Sequence, residues 1–195
     1  MRIIGGSARG LHLAPVGVGD AAAHLRPTSD RVREAIFNLL INGRVAGGGN
    51  PVTGARVLDL FAGTGALGLE ALSRGAAQAT FVDDGKAAQT LLVRNIDAMR
   101  AIPATRILRA DATRLPPNPG PGFSLIFLDP PYGQTLGEAA LRSALMGNWL
   151  APGALVVWEE SGSPTHPAGF AALDQRKYGG TVITLLRAPA ALPDL

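Results

Sequence analysis

Cysteine is absent from this chain of 195 residues, which excludes a disulfide framework and every thiolate metal site. Histidine is scarce: His12, His24 and His166 stand far apart, without the spacing that sets two imidazoles on one helix face, so no metal is expected. Lysine is confined to Lys86 and Lys177, and arginine supplies 16 of the 18 cations. Guanidinium groups suit planar, bidentate contacts to phosphate, although a composition rich in arginine, alanine and glycine follows equally from a GC-rich genome. Long apolar runs are also missing. No stretch approaches the roughly 20 residues that cross a bilayer, and the opening MRIIGGSARG lacks the basic-then-apolar pattern of a secretory leader. A soluble, cytoplasmic protein is expected. Core-forming residues are plentiful: 47% of the chain is hydrophobic, which argues against disorder.

The net charge of +3 sits in the first quarter of the chain. Residues 1–44 carry six arginines against three carboxylates, and the remainder balances at twelve of each sign. RIIGGSARGLHLA, residues 2–14, reads as two short extended runs joined by a glycine-rich turn. RPTSDRVREAIFNLLI reads as a helix with Thr28 or Ser29 as N-cap, Asp30 in its first turn and an apolar stripe of Val32, Ile36, Phe37, Leu39 and Leu40. The loop AGGGNPVTG then separates an N-terminal hairpin and helix, 1–44, from a larger domain, 51–195.

From Arg56 onward, strands alternate with helices: RVLDL, ALGLEALSR, ATFVD, a helix from Lys86 to Met99, RILRA, SLIFLD, a helix from about Glu138 to Leu145, and ALVVWEE. This alternation predicts an α/β fold with a doubly wound, mostly parallel sheet. Residues 170–178 and 181–187 flank Gly179-Gly180 with no helix between them, and predict an antiparallel hairpin that brings the sheet to seven strands.

VLDLFAGTGALGLEAL places Gly63, Gly65 and Gly68 at G-x-G-x-x-G spacing between a strand and a helix. Such a turn lets backbone N–H groups approach a ligand at a helix N-terminus, and by itself fits a nicotinamide dinucleotide as well as a nucleoside. Asp83 ends the next strand, twenty residues after Gly63, where a carboxylate can accept both ribose hydroxyls. Two further acids favour a nucleoside carrying an amino-acid chain. Asp59, four residues before Gly63, would repel a pyrophosphate but attract an ammonium, and Asp111, followed by Ala112, offers an acceptor for an adenine amino group. An ammonium, a ribose and an adenine in one row describe S-adenosylmethionine. The cofactor set is then Asp59, Phe61, Ala62, Gly63, Thr64, Gly65, Asp83, Asp111 and Ala112.

SLIFLDPPYG ends an apolar strand in Asp129, Pro130, Pro131 and Tyr132. Prolines fix φ and remove N–H donors, so they present carbonyl oxygens stiffly. The Asp129 side chain and the Pro130 carbonyl can accept both hydrogens of an amino group, while Tyr132 offers a face for a base to stack on. An exocyclic amine is a poor nucleophile because its lone pair is delocalised; accepting its hydrogens draws the nitrogen toward tetrahedral geometry. These four residues are the expected catalytic set. Asp129 or water takes the leaving proton.

LDLFAGTGALGLEALSRGA with LDPPYG resembles class I methyltransferases acting on exocyclic amines. RIIGG…RG followed by LRPTSDRVREAIFNLL resembles the bacterial 16S rRNA guanine-N2 methyltransferases of the RsmD family, over essentially the whole chain. The resemblance implies S-adenosylmethionine as methyl donor and a guanine of 16S rRNA, in the small subunit or its assembly intermediate, as acceptor. Adenine N6 in RNA or DNA is the alternative amine. The basic first quarter makes Arg2, Arg9, Arg26, Arg31 and Arg33 the candidate RNA contacts. A monomer is expected.

Overall fold

The structure, a computed structural model, describes residues 1–14, 29–43 and 49–190. Helix α1 (Asp30–Asn42) is followed by β1 (Arg56–Leu60), α2 (Ala66–Ser73), β2 (Gln78–Val82), α3 (Lys86–Ala98), β3 (Thr105–Leu108), β4 (Phe123–Leu128), α4 (Leu136–Met146), β5 (Leu150–Glu160), β6 (Ala171–Tyr178) and β7 (Thr181–Arg187). The strands form one sheet in the order β3-β2-β1-β4-β5-β7-β6. The five strands from β3 to β5 run parallel, and β7 enters antiparallel between β5 and β6. The expected sheet and terminal hairpin are both present.

Strand periodicity divides the core into two layers. Val57, Leu125, Phe127, Leu155, Val157, Ile183 and Leu185 face one layer. Leu58, Leu60, Ile126, Leu128, Val156, Trp158 and Leu186 face the other, which α4 covers with Ala140, Leu141 and Ala144. The first layer is covered by α2, α3 and also by the N-terminal region: Ile3, Leu13, Ile36, Phe37 and Leu40 are buried in it. Phe37 meets Phe127 of β4 with ring centroids 5.6 Å apart. Burying each such side chain contributes roughly 1.5–3 kcal/mol. Residues 1–14 and α1, on the N-terminal side of the 44–51 loop, thus form part of one layer with α2 and α3. Residues 44–48 of that loop lie outside the described residues.

The N-terminal run is the expected paired turn. Arg2 bridges His12 in antiparallel sense, with the Ile3 N–H donating to the Leu11 carbonyl at 2.9 Å. Ser29 caps α1 by accepting the Val32 N–H; its alternative, Thr28, lies outside the described residues.

Candidate active site

The sheet register brings the strand ends to one edge. Leu60 of β1 pairs with Val82 of β2 on one side and Leu128 of β4 on the other. Asp83 and Asp129, each one residue further on, thus flank the end of β1 from opposite sides. Neighbouring strands lie about 4.8 Å apart, so two strand spacings, about 10 Å, separate these positions. Leu128 in turn pairs with Trp158 of β5, which puts Glu159 at the same edge beside Asp129.

Two carboxyls shape the glycine turn from within. Phe61 (φ 58°) bends the chain off β1, and Gly65 (φ 76°) turns it into α2; a Cβ at Gly65 would meet Leu92 at 2.6 Å. Asp59 Oδ2 accepts the Gly68 N–H at 2.9 Å, and Asp83 Oδ2 accepts the Gly63 N–H at 2.9 Å. The first of these satisfies a donor that the opening turn of a helix otherwise leaves unpaired. Asp83 Oδ1 also accepts the Gly85 N–H at 2.9 Å. Thr64 is buried, and its carbonyl accepts from the Asn95 side-chain amide at 2.8 Å.

Asp59 requires a correction. It is only 2% exposed, and burial pushes its carboxyl up to about 8, against the Gly68 hydrogen bond and with the help of nearby Asp83. Enclosed beneath α2 and bonded to the Gly68 N–H, it does not face a ligand's ammonium; it holds the turn. Burial also raises the Asp83 carboxyl, partly offset by the Gly63 and Gly85 N–H groups. Asp111 is exposed and lowered, chiefly by the Thr113 hydroxyl. Its Oδ1 accepts both the Thr113 N–H and Oγ1–H, at 2.8 and 2.7 Å. Ala112 beside it is buried.

On the β4 side, Asp129 is half-buried and Pro130 buried, with Pro131 and Tyr132 half-buried. Asp129 donates its N–H to the Leu60 carbonyl at 3.4 Å, which continues the β1–β4 pairing to the strand end. The Tyr132 hydroxyl donates to Glu159 Oε1 at 2.9 Å and lies 3.3 Å from Thr181 Oγ1. Burial, together with the neighbouring carboxylates Glu159 and Asp129 and against the Thr181 hydrogen bond, raises its ionisation above the ordinary phenol range.

The five arginines separate. Arg2, Arg9 and Arg31 line a cavity of about 310 Å³ with Asp30 and Glu34. Arg33 does not join them: its side chain is fully buried, bonded to Asp30 at 2.9 Å and 3.6 Å from Glu70, and it also donates to the Arg2 carbonyl. It cannot reach a phosphate without leaving the core, so it is withdrawn as an RNA contact. Arg26 lies outside the described residues.

Three residues escaped the sequence reading. Glu70, fully buried, accepts the Ile4 and Gly5 N–H groups at 2.8 Å each and the Arg74 Nε–H at 2.7 Å, bolting the N-terminal run onto α2. Asn95 accepts the Ala14 N–H at 2.7 Å while donating to Thr64, so it ties that run to the glycine turn. Glu159 holds Tyr132. The lone acid in the otherwise apolar ALGLEAL was a signal for Glu70; nothing in the sequence marked Asn95.

The acids present fit a nucleoside. Each Asp83 oxygen holds one backbone N–H and retains acceptor capacity, and both Asp111 bonds fall on Oδ1. Seven strands in this order, a glycine turn after β1 and an acid ending β2 define a class I S-adenosylmethionine-dependent methyltransferase. Residues 1–187 match the family described as Conserved hypothetical protein 95. The chain is 39% identical over 185 residues to the ribosomal RNA small subunit methyltransferase D of Escherichia coli (strain K12), covering 93% of this chain and 86% of that one. With the Haemophilus influenzae protein of the same name it is 35% identical over 163 residues, covering 82% and 78%. The solved structure of the Escherichia coli protein yhhF superposes with a TM-score of 0.80 at 34% identity, over 98% of this chain and 99% of that one. The chain belongs to the RsmD family.

Proposed function

We propose that this protein transfers a methyl group to the exocyclic N2 of a guanine in 16S rRNA of the small ribosomal subunit. The observation that carries this reading is the placement of Asp83 and Asp129 on either side of the β1 end, a nucleoside-binding acid and an amine-binding acid across one strand. S-adenosylmethionine, when bound, supplies an electrophilic methyl on a sulfonium.

The chain's own residues do the rest. Asp83 accepts the ribose hydroxyls on the capacity its two backbone bonds leave, Asp111 accepts from the adenine amino group, and the backbone from Phe61 to Gly65, with Ala112, shapes the contact surface. Asp129 and the Pro130 carbonyl accept the two hydrogens of the recipient amine and orient its lone pair. Pro131 keeps the loop rigid. Tyr132 gives the base a flat face, and stacking of this kind contributes about 1–3 kcal/mol. Arg2, Arg9 and Arg31 contact rRNA phosphates from the N-terminal side, Arg26 being the remaining candidate. No described helix is long and apolar enough to cross a membrane, which is compatible with work on ribosomal particles in the cytoplasm.

The relatives' names support ribosomal RNA as substrate; the choice of N2 of guanine rests on the family resemblance of the N-terminal block. Small subunits purified from a strain lacking this gene, incubated with the protein and methyl donor and digested to nucleosides, should yield N2-methylguanosine. N6-methyladenosine in its place would replace this reading with the adenine alternative.

A further inference from the structure

Tyr132 is fixed at both ends. Its backbone follows the stiff Pro130-Pro131 pair, and its hydroxyl donates to Glu159 at 2.9 Å with Thr181 3.3 Å away. Glu159 is the penultimate residue of β5 and is 5% exposed. Thr181 opens β7, directly after the hairpin turn. The next residue along β5, Glu160, accepts the Gly133 N–H at 3.3 Å, so consecutive carboxylates hold consecutive residues of the DPPYG loop. Withdrawing a carboxylate from water costs several kcal/mol unless it is well bonded. An apolar residue would pack at this depth without that cost, yet the chain places the acid at the sheet edge, one strand from Asp129.

We propose that Glu159 is a positioning residue for methyl transfer: through the Tyr132 hydroxyl, and with Thr181, it sets the plane against which the recipient base stacks. The terminal hairpin thereby braces the acceptor side of the site. This inference rests on the reading of Tyr132 as the stacking face. A phenol anchored only through its backbone turns about χ1, whereas one tethered at the hydroxyl does not, and misplacement by about 1 Å can cost about 100-fold in rate.

The test is a double-mutant cycle on single-turnover methylation of small subunits, with affinity for S-adenosylhomocysteine followed by calorimetry. E159A should lower the single-turnover rate constant about tenfold, and E159Q, which keeps an acceptor oxygen, about two- to threefold. Cofactor affinity should stay within about twofold in both. In a Y132F background E159A should cost less than about twofold more. Equal effects of E159A with and without the hydroxyl, or a parallel loss of cofactor affinity, would overturn the proposal and leave Glu159 a purely structural acid. Should E159A not fold, the ultraviolet resonance Raman doublet of tyrosine in E159Q, with Y132F subtracted to remove Tyr178, must show a weakened donor bond; an unchanged doublet overturns it too. Failure of the functional reading looks different: wild-type protein would then transfer no methyl to small subunits while the Raman change persisted.

Discussion

The two halves of the C-terminal sheet edge are built by different means. On the β2 side the turn is held by backbone donors: Gly68 on Asp59, and Gly63 and Gly85 on Asp83. On the β4 side two prolines stiffen the chain, and the Tyr132 hydroxyl on Glu159 and the Gly133 N–H on Glu160 tie it to β5. Under the proposed function the β2 side binds the same nucleoside in every cycle and gains from a fixed turn. The β4 side would admit a base from a large RNA and gain from acceptors that two prolines leave without N–H donors of their own. The difference separates affinity from rate: substitutions on the β2 side should act on cofactor binding, those on the β4 side on turnover.

The largest effect is expected for Asp129→Ala. Turnover should fall about 10³-fold, equivalent to about 4 kcal/mol, with S-adenosylhomocysteine affinity changed less than about twofold. Equal losses in both measurements would merge the two halves into one. Next in size is Glu70→Ala. It strips the Ile4 and Gly5 N–H groups of their acceptor and leaves Arg33 buried with less compensation, which should destabilise the protein by about 3 kcal/mol or more in urea unfolding. A loss under about 1 kcal/mol would mean the N-terminal run is held by its apolar contacts and its bonds to Ser73 and Asn95, with Glu70 dispensable.

Asp59 gives a pH signature. Its carboxyl ionises at 3.8 in the ordinary state but is pushed up to about 8 in the fold. Between these values the unfolded chain has released a proton that the folded chain keeps, so stability falls as pH rises from about 4 to about 8 and levels off above. Asp59→Asn, which retains an acceptor for the Gly68 N–H, should remove much of this fall, seen as a Tm several degrees less dependent on pH across the window. A pH dependence of Tm that is the same in Asp59→Asn as in the wild type would refute the inward, protonated acid. The smallest effect belongs to the arginines. Arg31→Ala should weaken binding of small subunits by less than about 1 kcal/mol and reduce the slope of log affinity against log salt by less than about one unit, leaving stability unchanged. Arg33→Ala should do the reverse.

Much of this was legible from sequence, because strand ends are legible. Alternating apolar residues and the glycine and proline breaks located all seven strands, and in a parallel sheet the residue after each strand lands on one edge; Asp83 and Asp129 followed from that. What failed concerned the direction of side chains. The basic first quarter makes Arg33 a candidate RNA contact, although positions 33, 36, 37 and 40 share one helix face, and Ile36, Phe37 and Leu40 are all buried. Asp59 was placed near the turn correctly and pointed the wrong way, since strand position alone does not show that a helix N–H lies above it. The shared core of α1 and the sheet was hidden because it depends on contacts between residues far apart in the chain, such as Phe37 and Phe127. The same holds for Tyr132 and Glu159, which lie on separate elements and meet only through the β4–β5 register.

If donor and recipient meet across the end of β1, a crystal structure of the protein with S-adenosylhomocysteine will show it. The ribose should lie on the Asp83 carboxylate, with the sulfur directed over the β1 end toward Asp129. A nucleoside seated elsewhere, or a sulfur pointing away from the Asp129-Pro130-Pro131-Tyr132 loop, would contradict it.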